Sequence, residues 1–134
     1  MQLTPYIFFY GRCEEALQFY RSVLGGSYEL TRNTELPSEY AVDPASANKI
    51  MHAKFEAPGV AFMASDGGKS KSVDPEEGNI SLALDVPDAA EGERVFAALG
   101  AGGVTTMPLG KAFWGGRFGI VQDRFGTEWM VTTP

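Results

Sequence analysis

Pro5-Tyr6-Ile7-Phe8-Phe9-Tyr10-Gly11-Arg12-Cys13-Glu14-Glu15-Ala16-Leu17-Gln18-Phe19-Tyr20-Arg21-Ser22-Val23-Leu24-Gly25-Gly26 changes its hydrophobic period halfway, and that change decides the fold. Leu3 to Tyr10 is aromatic and β-branched without helical spacing and stops at Gly11, which predicts a buried strand. From Glu14 onward Ala16, Leu17, Phe19, Tyr20, Val23 and Leu24 recur at three- and four-residue spacing, one apolar helical face that ends at Gly25-Gly26. Glu14 and Glu15 fall in the first turn, where negative charge suits the helix dipole. Tyr28 to Thr34, Lys49 to Glu56 and Val60 to Ser65 read as three strands, the last two joined by the tight connection Ala57-Pro58-Gly59. The order is βαβββ.

Working outward, the same order returns. Asn79 to Val86 reads as a strand, and Pro87-Asp88 with Glu91 has the form of a helix start with an acidic cap. Val95, Phe96 and Leu99 give the second helix its apolar face, Gly92 within it costs about 1 kcal/mol against alanine, and Gly100 to Gly103 ends it. Val104 to Met107, Arg117 to Gln122 and Thr127 to Thr132 complete three strands, the last two joined by Asp123-Arg124-Phe125-Gly126. A repeat of about sixty residues is an architectural signal even where residue identity between the halves is weak. The expectation is an α+β fold, a single domain of two βαβββ modules, residues 1–66 and 78–134, joined by a polar linker over 67–77. A four-stranded sheet covered by one helix on one face leaves the other face to curve into a cup, where a ligand would sit.

Composition narrows the partners. Eleven Lys and Arg against seventeen Asp and Glu give a net charge of −6, which repels a phosphate backbone and argues against nucleic acid. Cys13 is the single cysteine, so no intramolecular disulfide is possible and a reducing compartment is expected. No apolar run approaches the ~20 residues that cross a bilayer, and Met1 to Tyr10 has neither a basic leader nor a small-residue cleavage pattern. The expectation is a cytoplasmic protein with no membrane partner.

Pro5-Tyr6-Ile7-Phe8-Phe9, Glu14-Glu15-Ala16-Leu17 with Phe19-Tyr20, Met51-His52-Ala53, and Phe113-Trp114-Gly115 with Phe118-Gly119, Asp123, Phe125-Gly126 and Trp129 carry a family likeness. From Pro5 to about Met130 the chain resembles the PhnB-like branch of the vicinal-oxygen-chelate superfamily, the glyoxalase, bleomycin-resistance and dihydroxybiphenyl dioxygenase relatives. The resemblance implies a paired βαβββ fold with a cupped mixed sheet, a homodimer, and four inward strand positions that hold a divalent metal in the best-known relatives. Counting back from Phe19-Tyr20 places the first on Pro5. The second falls on Phe62 or Met63, the third on Asn79 and the fourth, four residues after Gly126, on Met130. An amide and at most one thioether hold Zn²⁺, Ni²⁺, Fe²⁺ or Mn²⁺ poorly compared with histidines and carboxylates, so no metal and no cofactor is expected. Some members of the branch are described as demethylubiquinone methyltransferases. This chain has no glycine-rich strand-to-helix loop of the kind that holds S-adenosylmethionine.

His52, the only histidine, sits mid-strand and either faces the cup as a general base or ligand donor or is a satisfied structural residue. Trp114, between Gly110-Lys111 and Gly115-Gly116, is either a stacking flap or a lid over the domain's own core. Tyr6, Phe8, Phe62, Met63, Phe118 and Met130 are candidate lining of an apolar cavity, with Asn79 as a polar contact. Trp129 alternates with Met130 and should face the helices as core. Asp123 is expected to bond turn amides, and Asp66 to cap the linker start or meet a ligand at the rim. Cys13 lies near a helix N-terminus that can lower a thiol pKa, yet no histidine is near it in sequence. Three functions compete: metal-free binding of a small aromatic or amphiphilic molecule, a metal-independent enzyme using His52 with Asn79 and Trp114 as donors, and a dimeric scaffold whose cup is filled.

Overall fold

The repeated pattern builds two four-stranded sheets, each carrying one helix on one face. The computed structural model describes residues 1–37, 44–67 and 78–134, and these gather into two units, Met1–Ser72 and Val73–Pro134. The first unit runs β1 (Tyr6–Phe8), α1 (Cys13–Leu24), β2 (Ser27–Arg32), β3 (Ile50–Ala57) and β4 (Val60–Ser65), in the sheet order β1-β4-β3-β2. The second runs β5 (Leu82–Asp85), α2 (Ala89–Gly100), β6 (Val104–Lys111), β7 (Arg117–Gln122) and β8 (Glu128–Thr133), in the order β5-β8-β7-β6. In both units the first strand runs parallel to the last and the remaining pairs are antiparallel, so the α+β reading with two βαβββ modules holds. Apart from Gly67, the expected linker over 67–77 lies outside the described residues.

Several strand bounds shift by one or two residues from those expected, and three strands differ by more. β1 is three residues long rather than running from Leu3 to Tyr10, because Tyr10 and Gly11 take positive φ of 46° and 97° and turn the chain into the helix. β5 starts at Leu82, so Asn79 precedes the strand. β6 runs on to Lys111 through Pro108, which an edge strand tolerates, and its register slips between Met107 and Gly110.

Strand alternation divides each sheet into a helix-facing and an open face. In the first unit α1 lays Cys13, Ala16, Leu17, Tyr20 and Val23 over Ala53, Phe55, Phe62 and Ala64, all buried. Phe55 stacks on Phe62 at 4.9 Å, and Tyr20 meets Phe62 edge-on at 5.7 Å. In the second unit α2 buries Val95 and Leu99, and Val121, Trp129 and Val131 are the buried apolar strand residues of its sheet. Gly26, at φ 81°, lies so close to β3 that a Cβ would fall on the Glu56 carbonyl, so only glycine closes the helix-to-strand turn there. Gly92, costly in a helix on propensity alone, is where α2 rests on β8: a Cβ would come within 2.8 Å of Thr133 Cβ and Oγ1.

Candidate functional site

The open face of the first sheet gathers the candidate residues. In register, Tyr6 pairs with Met63, Met63 with Lys54, and Thr31 with His52, so these side chains share the side of the sheet away from α1. Tyr6 and Phe8 stand there 40% and 48% exposed, with ring centroids 5.2 Å apart. The Tyr6 hydroxyl lies 3.1 Å from His52 Nδ1 and the two rings are 5.7 Å apart. Which of the two groups donates is set by the imidazole tautomer. Aromatic side chains of this size left uncovered, beside a core that Phe9, Phe55 and Phe62 already fill, are what a ligand surface needs.

A cavity of about 420 Å³ opens beside this pair, and Tyr6, Phe8 and Met51 supply its apolar wall. Asn33, Ser46, Lys49 and Ser65 supply the polar one. The polar wall comes from the β2–β3 connection, where two short 3-10 turns, Asn33–Glu35 and Pro44–Ser46, are tied together by Asn33 Nδ2 donating to the Ser46 carbonyl at 2.9 Å. These residues carry no hydrophobic period in the sequence, and their two described turns are joined by a contact thirteen residues apart along the chain.

Not every predicted residue arrives at the site. Phe62 points to the helix side, 3% exposed between Phe55 and Tyr20, so of the pair Phe62 and Met63 only Met63 is on the open face. Pro5 lies just before β1, its carbonyl accepting from Met63 N–H at 2.9 Å, and Tyr6 is the β1 residue paired with Met63. Asn79 is exposed and outside the sheet, and the residue paired with Met130 on β5 is Ala83.

Met130, Ile120, Phe118 and Thr132 share the open face of the second sheet. Trp114 stands at the β6–β7 connection, edge-on to Phe118 at 5.4 Å and to Phe113 at 4.8 Å. In place of an open flap, Ala112 N–H bonds the Gly116 carbonyl at 2.9 Å and Gly115 N–H the Ala112 carbonyl at 3.1 Å, a closed turn that offers the indole at its tip, 57% exposed.

The buried acids are structural. Asp123 accepts from Phe125 N–H, Thr127 N–H and Trp129 Nε1–H at 2.8 to 3.0 Å, fixing both the β7–β8 turn and the core tryptophan. Asp66 is buried just after β4. Its two oxygens accept from Cys13 N–H at 2.8 Å and Ile50 N–H at 2.7 Å, which pins the start of α1 to β3. Cys13 beneath it is fully buried, and desolvation, then the charges of Asp66 and Glu14, push its thiol up to about 12. Burial therefore overrides any lowering by the helix dipole.

The positions that the resemblance would make metal ligands, Pro5, Phe62 or Met63, Asn79 and Met130, offer one or two thioethers and an amide. That donor set does not fit a divalent cation. Among the described residues no three His, Cys, Asp or Glu side chains group so as to hold one. No helix among them is long and apolar enough to cross a membrane.

Two βαβββ units with this strand order make a fold shared with a glyoxalase/bleomycin resistance/dioxygenase superfamily member from Sphaerobacter thermophilus, similar at 18% identity and a TM-score of 0.58 over the whole of this chain and 98% of that one. Residues 1–132 match the family described as 3-demethylubiquinone-9 3-methyltransferase, and the chain belongs to that family. It is 32% identical to protein YjdN of Escherichia coli, over 98% of this chain and 94% of that one. The crystal structure of PA1353 from Pseudomonas aeruginosa is similar at 37% identity and a TM-score of 0.85, covering 99% of this chain and 97% of that one. A PhnB protein from Bacillus cereus, which carries the same methyltransferase description as the family, is similar at 27% identity and a TM-score of 0.78 over the whole of both chains.

Proposed function

We propose that this protein binds a small aromatic or amphiphilic molecule on the open face of its sheets, without a metal. The observation that carries the reading is the cavity of about 420 Å³ against Tyr6 and Phe8, whose rings are left uncovered while the helix-facing core is complete. Its size is in the range of small-molecule sites, and that weighs against a scaffold whose cup is filled by its own side chains. Met63 and His52 border the same face, and within the second unit Met130, Phe118 and Trp114 are the candidate apolar residues of its own sheet. A single domain of both units, a homodimer and a cytoplasmic location belong to the same proposal.

A metal-independent enzyme with His52 as base is the second reading, favoured by the Tyr6–His52 hydrogen bond at 3.1 Å. Methyl transfer from S-adenosylmethionine has less support, since β1 and β5 lead into their helices through Gly11-Arg12 and Pro87-Asp88, not through a glycine-rich phosphate-type loop.

Native mass spectrometry of protein purified without chelator tests the proposal, reading bound molecules and subunit number together. The expected result is a small organic ligand retained by the wild type and lost in Phe8→Ala. Absence of any ligand, together with no binding from a panel of aromatic compounds, overturns it. If His52→Ala abolishes a turnover while leaving ligand affinity intact, the enzyme reading replaces simple binding.

A further inference from the structure

We infer that the ligand of the first-sheet cavity is an aromatic molecule bearing one carboxylate, with Lys49 as the residue that selects its charge; this rests on the binding function proposed above. Three observations lead there. Among the described residues Lys49 is the only charged side chain lining the cavity, and no acid lines it. The protein as a whole is acidic at −6, so a lone cation in a recess creates a local field opposite to the surrounding one.

Among the described residues the neighbouring charges are matched to partners, and Lys49 is not. On the other side of Lys49, a second recess of about 270 Å³ holds Arg12, Glu14, Glu15, Arg32 and Asp66. There Arg12 bonds Glu15 at 3.0 Å and Arg32 bonds Glu14 at 2.5 Å and the Asn48 carbonyl at 2.9 Å. The Glu14 hydrogen bond raises the Arg32 pKa above its ordinary value, so that guanidinium stays committed to its partner. Asp66 is occupied by two backbone N–H groups. Lys49 is half-buried and has no carboxylate within salt-bridge distance among the described residues. Its backbone is fixed at both ends, N–H to the Ser46 carbonyl at 3.1 Å and carbonyl to Asn33 N–H at 3.0 Å, so the ammonium works from a defined anchor.

The third observation is the arrangement of the walls. Tyr6, Phe8 and Met51 form the apolar side and Lys49, Ser46 and Asn33 the polar side of one recess. A flat apolar body with an anionic end satisfies both at once, whereas a neutral hydrocarbon leaves a half-buried ammonium without a counter-charge and a cation is repelled.

The test uses the full chain and three isosteric probes, 2-naphthoate, 2-naphthamide and 2-naphthylmethylammonium, titrated calorimetrically. Expected is an affinity for naphthoate about tenfold above that for naphthamide, with the ammonium probe weakest and the preference shrinking at high salt. Lys49→Met should remove the preference for the acid over the amide. Lys49→Arg, which keeps the charge, should retain it, and this guards against a folding defect in the first variant. Equal affinity for acid and amide in the wild type, or a preference that survives in Lys49→Met, overturns the assignment of the carboxylate while leaving aromatic binding intact. Failure of all three probes to bind the wild type, with Phe8→Ala no different, overturns the ligand site itself and the inference with it.

Discussion

Replacing Gly92 by alanine sets two magnitudes against each other. On helix propensity the change should stabilise α2 by about 1 kcal/mol, since glycine in a helix interior is about that much worse than alanine. The packing opposes it. The new Cβ would lie 2.8 Å from both Cβ and Oγ1 of Thr133 and 3.2 Å from its Cγ2. Thr133 is 2% exposed and its hydroxyl lies 3.3 Å from the Asp88 carbonyl at the start of the same helix, so it has nowhere to rotate. Overpacking of this kind costs about 1–3 kcal/mol, more than the propensity gain over most of that range. The expected outcome is a net loss of about 1 kcal/mol, or about 3 °C in Tm for a domain of this size. Thermal and urea unfolding of Gly92→Ala should show it, and the same substitution made in a Thr133→Gly background should stabilise, because there the propensity term acts alone. A Tm that rises for Gly92→Ala in the wild-type background would refute the reasoning, as would an identical effect in both backgrounds, since either means that α2 does not rest on Thr133.

Other substitutions test other parts of the structure. Asp66→Ala leaves the N–H groups of Cys13 and Ile50 buried without an acceptor, and at about 1–3 kcal/mol for each such group a loss of about 2–5 kcal/mol is expected in urea unfolding. A loss below about 0.5 kcal/mol, the range of an ordinary surface change, would show that water takes over both donors. The Cys13 thiol, ordinarily near 9 and raised to about 12 in the fold, binds its proton more tightly when folded than when unfolded. The unfolded chain therefore carries fewer protons between those values, and stability should fall as pH rises from about 9 toward 12. Cys13→Ala should flatten that part of the pH–stability curve, and an unchanged slope would assign the alkaline loss to other groups. Native Cys13 should also react with a thiol reagent only at the rate of unfolding, which a stopped assay at neutral pH checks. Tyr6→Phe, at a half-exposed site, should move Tm by less than about 0.5 kcal/mol equivalent yet weaken aromatic ligands by releasing His52 from its orientation, so unaltered affinity would remove the Tyr6–His52 pair from the site.

The sequence by itself determined the architecture. A strand-to-helix change of period followed by three strands, occurring twice, leaves few folds available, and β4 and β7 were placed at Val60–Ser65 and Arg117–Gln122, as observed. Trp129 was legible as core from its alternation with Met130, and Asp123 from its place in the turn, because both are consequences of local geometry. Tertiary structure alone decided the rest. Whether Phe62 or Met63 faces outward depends on which strand face α1 covers, and that Tyr6 pairs with Met63 depends on the β1–β4 register. Asp66 looks like a linker cap until Cys13 and Ile50, fifty-three and sixteen residues away, bring their N–H groups to it. Lys49, Asn33 and Ser46 belong to an aperiodic connection, and they become one wall of a cavity only when that connection folds back beside β1 and β4. Periodicity records which side of an element meets its own core. The positions of side chains that leave the core to meet a ligand are fixed by contacts distant in sequence, and those have no signature in the order of residues.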